Sequence, residues 1–104
     1  MKIFLDDIRE TPDGWERCYW PNDMIELLKT ENVSVISLDH DLGDDDRGKG
    51  SDVLNWILEQ VIHNTGFVPP NIIIHTDNGS ALSYMRRTTI RIHEIYEENK
   101  KEDK

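Results

Sequence analysis

The sequence has 104 residues, of which 37% are hydrophobic and 32% charged, and these proportions fit a single globular domain rather than a disordered chain. Its formal net charge of -9 argues against a broad electrostatic grip on nucleic acid. No apolar run reaches the roughly 20 residues of a membrane span, the first residues lack the pattern of a signal peptide, and the one cysteine cannot form an internal disulfide. We therefore predict one domain over residues 1–104 of a cytoplasmic protein without a membrane partner.

The first half of the chain predicts two strands with an irregular stretch and a helix between them. The apolar run Lys2–Leu5 is typical of a strand, and residues 8–20 after it contain a strong turn signal at 11–14. A helix is expected from near Pro21, because proline suits the first helical turn. The nearly continuous apolar run Val33–Leu38 then predicts a strand that is buried on both faces.

The second half repeats this pattern. A helix is expected after residue 50, with Ser51 as its N-cap, and Gly66 ends it. Asn71–Ile74 is a third apolar run and predicts a third strand. A last helix is expected from about 80 to 98, and a charged tail over 97–104 is expected to be frayed.

Strands that alternate with helices are typical of a parallel sheet with right-handed crossovers. We therefore predict an α/β fold of order βαβαβα, a minimal receiver-like (flavodoxin-like) three-layer fold with a short parallel sheet. If the strands that end on acids are neighbours, both crossover helices fall on one face of the sheet and the last helix covers the other. Such a lightly covered sheet would favour a homodimer.

Acidic residues follow each of the first two strands directly. Asp6 and Asp7 come after the first strand, and Asp39 and Asp41 come after the second. Ligands of open α/β sheets bind beyond the carboxyl ends of the strands, and crowded carboxylates repel each other unless a cation or a proton intervenes. The pattern predicts a Mg²⁺ or Mn²⁺ site in which Asp6, Asp7 and Asp39 are ligands. The alternative is that these acids cap turns or belong to an ordinary acidic loop.

The third strand also ends on polar residues. His75 is suited to act as a general acid or base, as are Asp41 and His40, although His40 should point away from its neighbours on an extended backbone. Thr76 and Asn78 are suited to bind a phosphate at the start of a helix. The alternative is that Asn78 or Ser80 only caps that helix.

Two arginines are candidates for binding a phosphate, namely Arg9 after the first acid pair and Arg86 in the last helix. The alternative for both is a solvated or ion-paired surface position. The Gly48-Lys49-Gly50 segment is not a Walker P-loop, because the four-residue spacer and the Ser or Thr after the lysine are missing.

With these motifs the chain resembles the cyclic-phosphate-processing receiver-like family, which is related to the receiver domains of response regulators. The resemblance extends to about Arg87. It rests on the segments Ile3–Arg9 with Pro12 and Gly14-Trp15, Ser37–Gly43 with residues 50–54, and His75-Thr76 with Asn78.

The relation to receiver domains implies roles for individual residues. Asp6 and Asp7 match the acid pair that holds Mg²⁺, Asp39 matches the phosphorylated aspartate, and Thr76 matches the hydroxyl that binds the phosphoryl group. The receiver lysine has no counterpart, and two strand–helix units of a full receiver are expected to be missing. This departure argues against ordinary phosphorelay signalling.

The resemblance implies a metal-dependent enzyme that hydrolyses a cyclic phosphate. The implied substrate is a cyclic nucleotide or an RNA terminus that carries a cyclic phosphate. Two alternatives stay open, namely a non-catalytic protein that sequesters a nucleotide and a signalling module that is phosphorylated on an aspartate. Asp39 and Asp41 both remain candidates for the key acid.

Overall fold

The computed structural model describes residues 1–30 and 32–102. Its elements are β1 (Lys2–Leu5), β2 (Glu16–Cys18), α1 (Pro21–Leu28), β3 (Val35–Leu38), a 3-10 turn (Asp45–Arg47), α2 (Gly50–His63), β4 (Asn71–Ile74) and α3 (Gly79–Glu102). The strands form one parallel sheet in the order β2-β1-β3-β4. The predicted α/β class is thus confirmed. No helix of the described ranges is long and apolar enough to cross a membrane.

The sheet has one more strand than predicted. β2 lies within the stretch that was expected to be irregular, and it pairs with β1 through the register Phe4 to Arg17 and Leu5 to Cys18. The order β2-β1-β3-β4 is the flavodoxin-like order 2-1-3-4-5 without its fifth strand. Among the described residues, therefore, one strand of that order is missing rather than two.

The three helices lie on one face of the sheet. Ile3, Leu5, Ile36 and Leu38 alternate along β1 and β3, are fully buried, and belong to one core with residues of every helix. The last helix, α3, packs against α2 and β4. The predicted three-layer arrangement, with this helix on the second face, is corrected because α3 joins the other helices.

The second face is covered by aromatic rings where it adjoins the strand ends. Phe4 points to this side and is 7% exposed, because the His75 ring stacks on it at 4.5 Å and the Trp15 ring meets it edge-on at 6.4 Å. Towards β4 the same face is open, and Ile73 is 47% exposed. Rings from two loops thus take the place of a helix beside the strand ends.

Several element boundaries differ from the predictions. β3 begins at Val35 rather than Val33, and α2 begins at Gly50, one residue before its predicted N-cap. The N-cap of α2 is Lys49, whose backbone N–H donates to the Asp52 carboxylate. The helix α3 continues through Glu102, so the predicted tail is helical as far as the structure describes it.

Candidate functional site

Polar side chains from three strand ends meet in a cleft of about 230 Å³. The contributing segments follow β1, β3 and β4, which are adjacent in the sheet. The lining residues are Asp6, Asp7, Ile8, Arg9, Asp39, Asp41, Thr76, Asp77 and Asn78. Parallel strands bring their carboxyl ends to one edge, so residues more than seventy positions apart in sequence share a site.

Three carboxylates in this cleft are close enough to hold one cation. Asp6, Asp7 and Asp39 each offer an oxygen, and these oxygens lie within 4.8 Å of one another. Asp6 is buried, whereas Asp7 and Asp39 are half-buried and open to the cleft. Hard oxygen donors that leave room for water suit Mg²⁺ and Mn²⁺, so the residues fit the predicted metal.

The chain holds Asp6 rigidly in its ionised form. Oδ1 accepts hydrogen bonds from the backbone N–H groups of Ile8 (2.8 Å) and Arg9 (2.9 Å), and Oδ2 lies 3.0 Å from Nε2 of His75. Burial by itself would raise the pKa of Asp6, but these hydrogen bonds hold the pKa below its ordinary value. Asp6 is therefore held as a carboxylate, the form that a metal ligand requires.

Asp39 is in the opposite electrostatic situation. Burial raises its pKa, and the negative charge of Asp6 adds to this effect. Its Oδ1 accepts a hydrogen bond from the backbone N–H of His40 at 2.8 Å, which opposes the rise only partly. A cation between the two carboxylates would remove this repulsion.

His75 lies behind the acids rather than in the cleft. It follows Ile74, so it points to the sheet face opposite the helices, where its ring stacks on Phe4 with an interplanar angle of 3°. Nδ1 lies 2.6 Å from the Ser37 hydroxyl, while Nε2 faces Asp6. Because the Asp6 carboxylate only accepts, Nε2 carries a proton, and His75 acts as a positioning residue between Ser37 and Asp6.

The start of α3 combines helix capping with a place in the cleft. The side-chain oxygen of Asn78 accepts from the Ala81 backbone N–H at 3.0 Å, which is an N-cap, and its amide nitrogen donates to Asp41 at 3.2 Å. The Thr76 hydroxyl oxygen accepts from the Asn78 backbone N–H at 3.2 Å. Asn78 is thus the N-cap of α3, and because the same side chain also holds Asp41, capping is not its only contact.

Arg9 is the one cation among the residues that line the cleft. Its Nη2 lies 3.0 Å from Oδ2 of Asp77, and its Nε lies 3.9 Å from Oδ2 of Asp6. Arg17 on β2 donates to the Arg9 carbonyl oxygen at 2.6 Å, so the unpredicted strand helps to fix this loop. Asp77 and Arg17 had no role in the sequence prediction.

Two predicted site residues lie elsewhere. His40 does not line the cleft, in agreement with its expected direction away from Asp39 and Asp41. Arg86 lies two turns into α3, beside Ile72 and Ile74 of β4, and it is not brought to the cleft. A helical residue this far from the N-terminus faces the flank of the sheet rather than the strand ends.

Two glycines let the loop after β3 fold close to the site. Gly43 has a φ of +89°, and a side chain there would also meet Oδ2 of Asp7 at 3.1 Å. A Cβ on Gly50 would lie 1.6 Å from the Asp39 carbonyl oxygen. Gly50 therefore lets α2 begin directly against the backbone of this acid, and its N–H donates to the His40 carbonyl at 2.9 Å.

The parallel order, the three helices and the acidic cleft at the strand ends define a receiver-like α/β domain. The model of the family described as the cyclic-phosphate processing receiver domain matches residues 1–91. The chain belongs to this family, and the resemblance seen in the motifs is confirmed. Searches of curated proteins and of solved structures found no significant match.

Proposed function

We propose that the cleft binds a divalent cation, Mg²⁺ or Mn²⁺, through Asp6, Asp7 and Asp39. The observation that carries this proposal is the cluster of three carboxylates within 4.8 Å, one of them buried and hydrogen-bonded in its ionised form. Five aspartates and one arginine line the cleft, so an anionic substrate would be repelled without a cation. Metal and phosphate are thus expected to bind together.

The proposed reaction is hydrolysis of a cyclic phosphate on an RNA terminus or a cyclic nucleotide. Membership of a family described as processing cyclic phosphates supports this substrate class. Water adds to phosphorus, one ester P–O bond of the ring breaks, and the released oxygen takes up a proton. The bound cation would polarise a phosphoryl oxygen and assist ionisation of the attacking water.

Residues of the chain have distinct tasks in this proposal. Asp41 would accept a proton from water, and its hydrogen bond from the Asn78 amide at 3.2 Å supports this role by orienting the carboxylate. Thr76 and Arg9, which line the same cleft, would stabilise the charge that develops on the phosphoryl oxygens. Since His40 lies outside the cleft and His75 behind it, we assign neither of them the role of proton donor.

The decisive experiment separates metal binding from chemistry. Asp39→Asn should weaken Mn²⁺ binding in calorimetry and abolish turnover of 2′,3′-cyclic-phosphate RNA and cyclic nucleotides. Asp41→Asn should lose turnover and keep Mn²⁺ affinity within a few-fold. The matched control is Asp13→Asn, which changes an exposed acid outside the cleft and should leave both measurements unaltered. Full turnover by Asp39→Asn would contradict the proposed centre.

A second candidate is acceptance of a phosphoryl group by Asp39. It is favoured by one observation, namely that Asp39 and Thr76 line the same cleft as the acid pair, as the relation to receiver domains implies. Acetyl phosphate with Mg²⁺ should then label the chain, and Asp39→Asn should abolish the label. Tight nucleotide binding without label or product would instead indicate a sequestering protein.

A location in the cytoplasm stays a prediction.

A further inference from the structure

We propose that α3 pairs with α3 of a second copy of this chain and forms an antiparallel homodimer. The pairing surface, which we call the outer stripe, consists of Arg86, Ile90, Glu94 and Glu97. Their spacing of four, four and three residues places them on one side of the helix, away from the core-facing Met85 and Ile92. This inference does not depend on the proposed metal site.

The centre of the outer stripe is apolar. Ile90 is 58% exposed, and it adjoins a groove of about 330 Å³ that Ile72, Ile74, Arg86 and Thr89 also line. A single exposed isoleucine is ordinary, but one that continues an apolar groove is suited to a protein contact. Ile90 would thus form the dry centre of the interface.

The charged residues of the outer stripe favour a second copy of the chain as its partner. Arg86 lies four residues before Ile90, and Glu94 and Glu97 lie four and seven residues after it. When two such helices pair antiparallel about Ile90, Arg86 of one protomer faces Glu94 or Glu97 of the partner subunit, and the reverse contact forms by symmetry. Glu94 and Glu97 also pair with Arg91 (4.0 Å) and Lys100 (3.2 Å) of their own helix, but these pairs are exposed and therefore weak. A second copy offers an arginine to the glutamates and glutamates to the arginine, so it matches both ends of the outer stripe.

The sheet beside the stripe also has a free edge. β4 is the last strand of the order β2-β1-β3-β4, and nothing in the described residues pairs with its outer side. Its sequence, Asn71–Ile74, contains no charge or proline that would discourage a neighbouring chain. A two-fold axis beside β4 and α3 would bring this edge near the same edge of the second copy.

The dimer can be tested by sedimentation over a concentration series. We expect the wild-type chain to associate reversibly, and Ile90→Lys to raise the dimer dissociation constant at least about tenfold. The matched control is Ile62→Lys, which changes another exposed isoleucine (49%) on α2 and should not alter the dissociation constant. A monomer at every concentration, or a dimer indifferent to Ile90→Lys, would overturn the proposal.

Charge reversal and cross-linking test the antiparallel geometry itself. The single variant Arg86→Glu should weaken the dimer, and so should the double variant that combines Glu94→Arg with Glu97→Arg. A chain that carries all three substitutions should dimerise again. Ile90→Cys should form an intersubunit disulfide under mild oxidation, and Ile62→Cys should not. Absence of both the restoration and the cross-link in a chain that still dimerises would place the interface elsewhere.

Discussion

The Nε2 atom of His75 lies 3.0 Å from Oδ2 of Asp6, the carboxylate oxygen that does not accept from the backbone N–H groups of Ile8 and Arg9. The Ser37 hydroxyl, 2.6 Å from Nδ1, fixes the ring from its other nitrogen, and Phe4 supports its face. If Asp6 binds a cation as proposed, this fixed orientation lowers the entropy cost of ordering its carboxylate. The imidazole therefore acts on the site through Asp6.

We predict that His75→Phe weakens Mn²⁺ binding by about 10- to 100-fold, as the loss of an orienting partner of a metal ligand commonly does. The phenyl ring keeps the stacking on Phe4, so the fold should be retained. Calorimetric titration with Mn²⁺ measures the effect. His75→Gln, which keeps a donor towards Asp6, should recover part of the affinity, and His40→Gln should bind metal like the wild type. Equal affinities in His75→Phe and wild type would refute the positioning role.

We predict that Asp39→Asn raises the melting temperature of the metal-free protein, by about 2–5 °C, at neutral pH. The folded-state pKa of Asp39 is raised, so its ionised form is the costly one, and the amide removes that cost. Differential scanning calorimetry with a chelator measures the shift. With saturating Mg²⁺ the wild type should have the higher melting temperature, because it gains stability by binding the cation.

The pH dependence of this difference follows from the sign of each shift. As the pH falls through the raised pKa of Asp39, its carboxyl takes up a proton, and the advantage of Asp39→Asn should vanish. Asp6 works the other way. Its lowered pKa contributes stability above the usual aspartate value of about 3.9, and this stability is lost as the pH falls through its folded pKa. Melting curves of the wild type and of Asp39→Asn, recorded from neutral pH down through the aspartate pKa values, test the prediction.

We predict that Gly50→Ala costs about 3 kcal/mol or more, because the new methyl group would lie 1.6 Å from the Asp39 carbonyl oxygen. The atoms that the new methyl group would meet belong to the backbone of Asp39 and His40, so no flexible side chain can move aside. Urea unfolding measures the loss. Gly79→Ala is the control, since a Cβ there meets nothing within 4 Å and removes glycine from the first turn of α3. It should be neutral or stabilise by up to about 1 kcal/mol.

We predict that Asn99→Ala costs about 1–2 kcal/mol and frees the last turns of α3. The Asn99 side-chain nitrogen donates to the Val61 carbonyl oxygen at 2.9 Å, and Val61 lies in the last turn of α2, where carbonyls lack a partner within the helix. Hydrogen exchange should show faster exchange of the amides of residues 96–102. Glu98→Ala, on the exposed side of the same turn, should leave this protection intact.

The sequence patterns were most informative where a strand is apolar throughout. The runs over β1, β3 and β4 are each followed by polar residues, and the rule that ligands bind beyond strand ends predicted their meeting correctly. The strand β2 was not predicted, because only one of its three residues, Cys18, is buried and the segment therefore lacks an apolar pattern. Its strand conformation depends on pairing with β1, which no local pattern reveals.

The site was predicted less completely than the strands. Asp6, Asp7, Asp39, Asp41 and Arg9 meet as expected, whereas Ser37 was taken as part of an apolar run. Its polarity inside a buried strand was the available signal, because a buried hydroxyl requires a partner. The length of α3 was underestimated for a similar reason, since a buried contact of Asn99 with α2 holds a segment whose own composition is charged.

The position of β1 between β2 and β3 sets an order of events for folding. All strand pairs of the described residues are parallel, so none of them is a hairpin. The strand β1 pairs with β3 only after some thirty further residues, so closing this pair costs more loop entropy than a local pairing would. The strand β1, which precedes Asp6, comes first in the chain, but its pairing with β3 forms only after the intervening residues have folded back. The β3–β4 pair needs a closure of similar length, so folding of this small domain should be slow for its length.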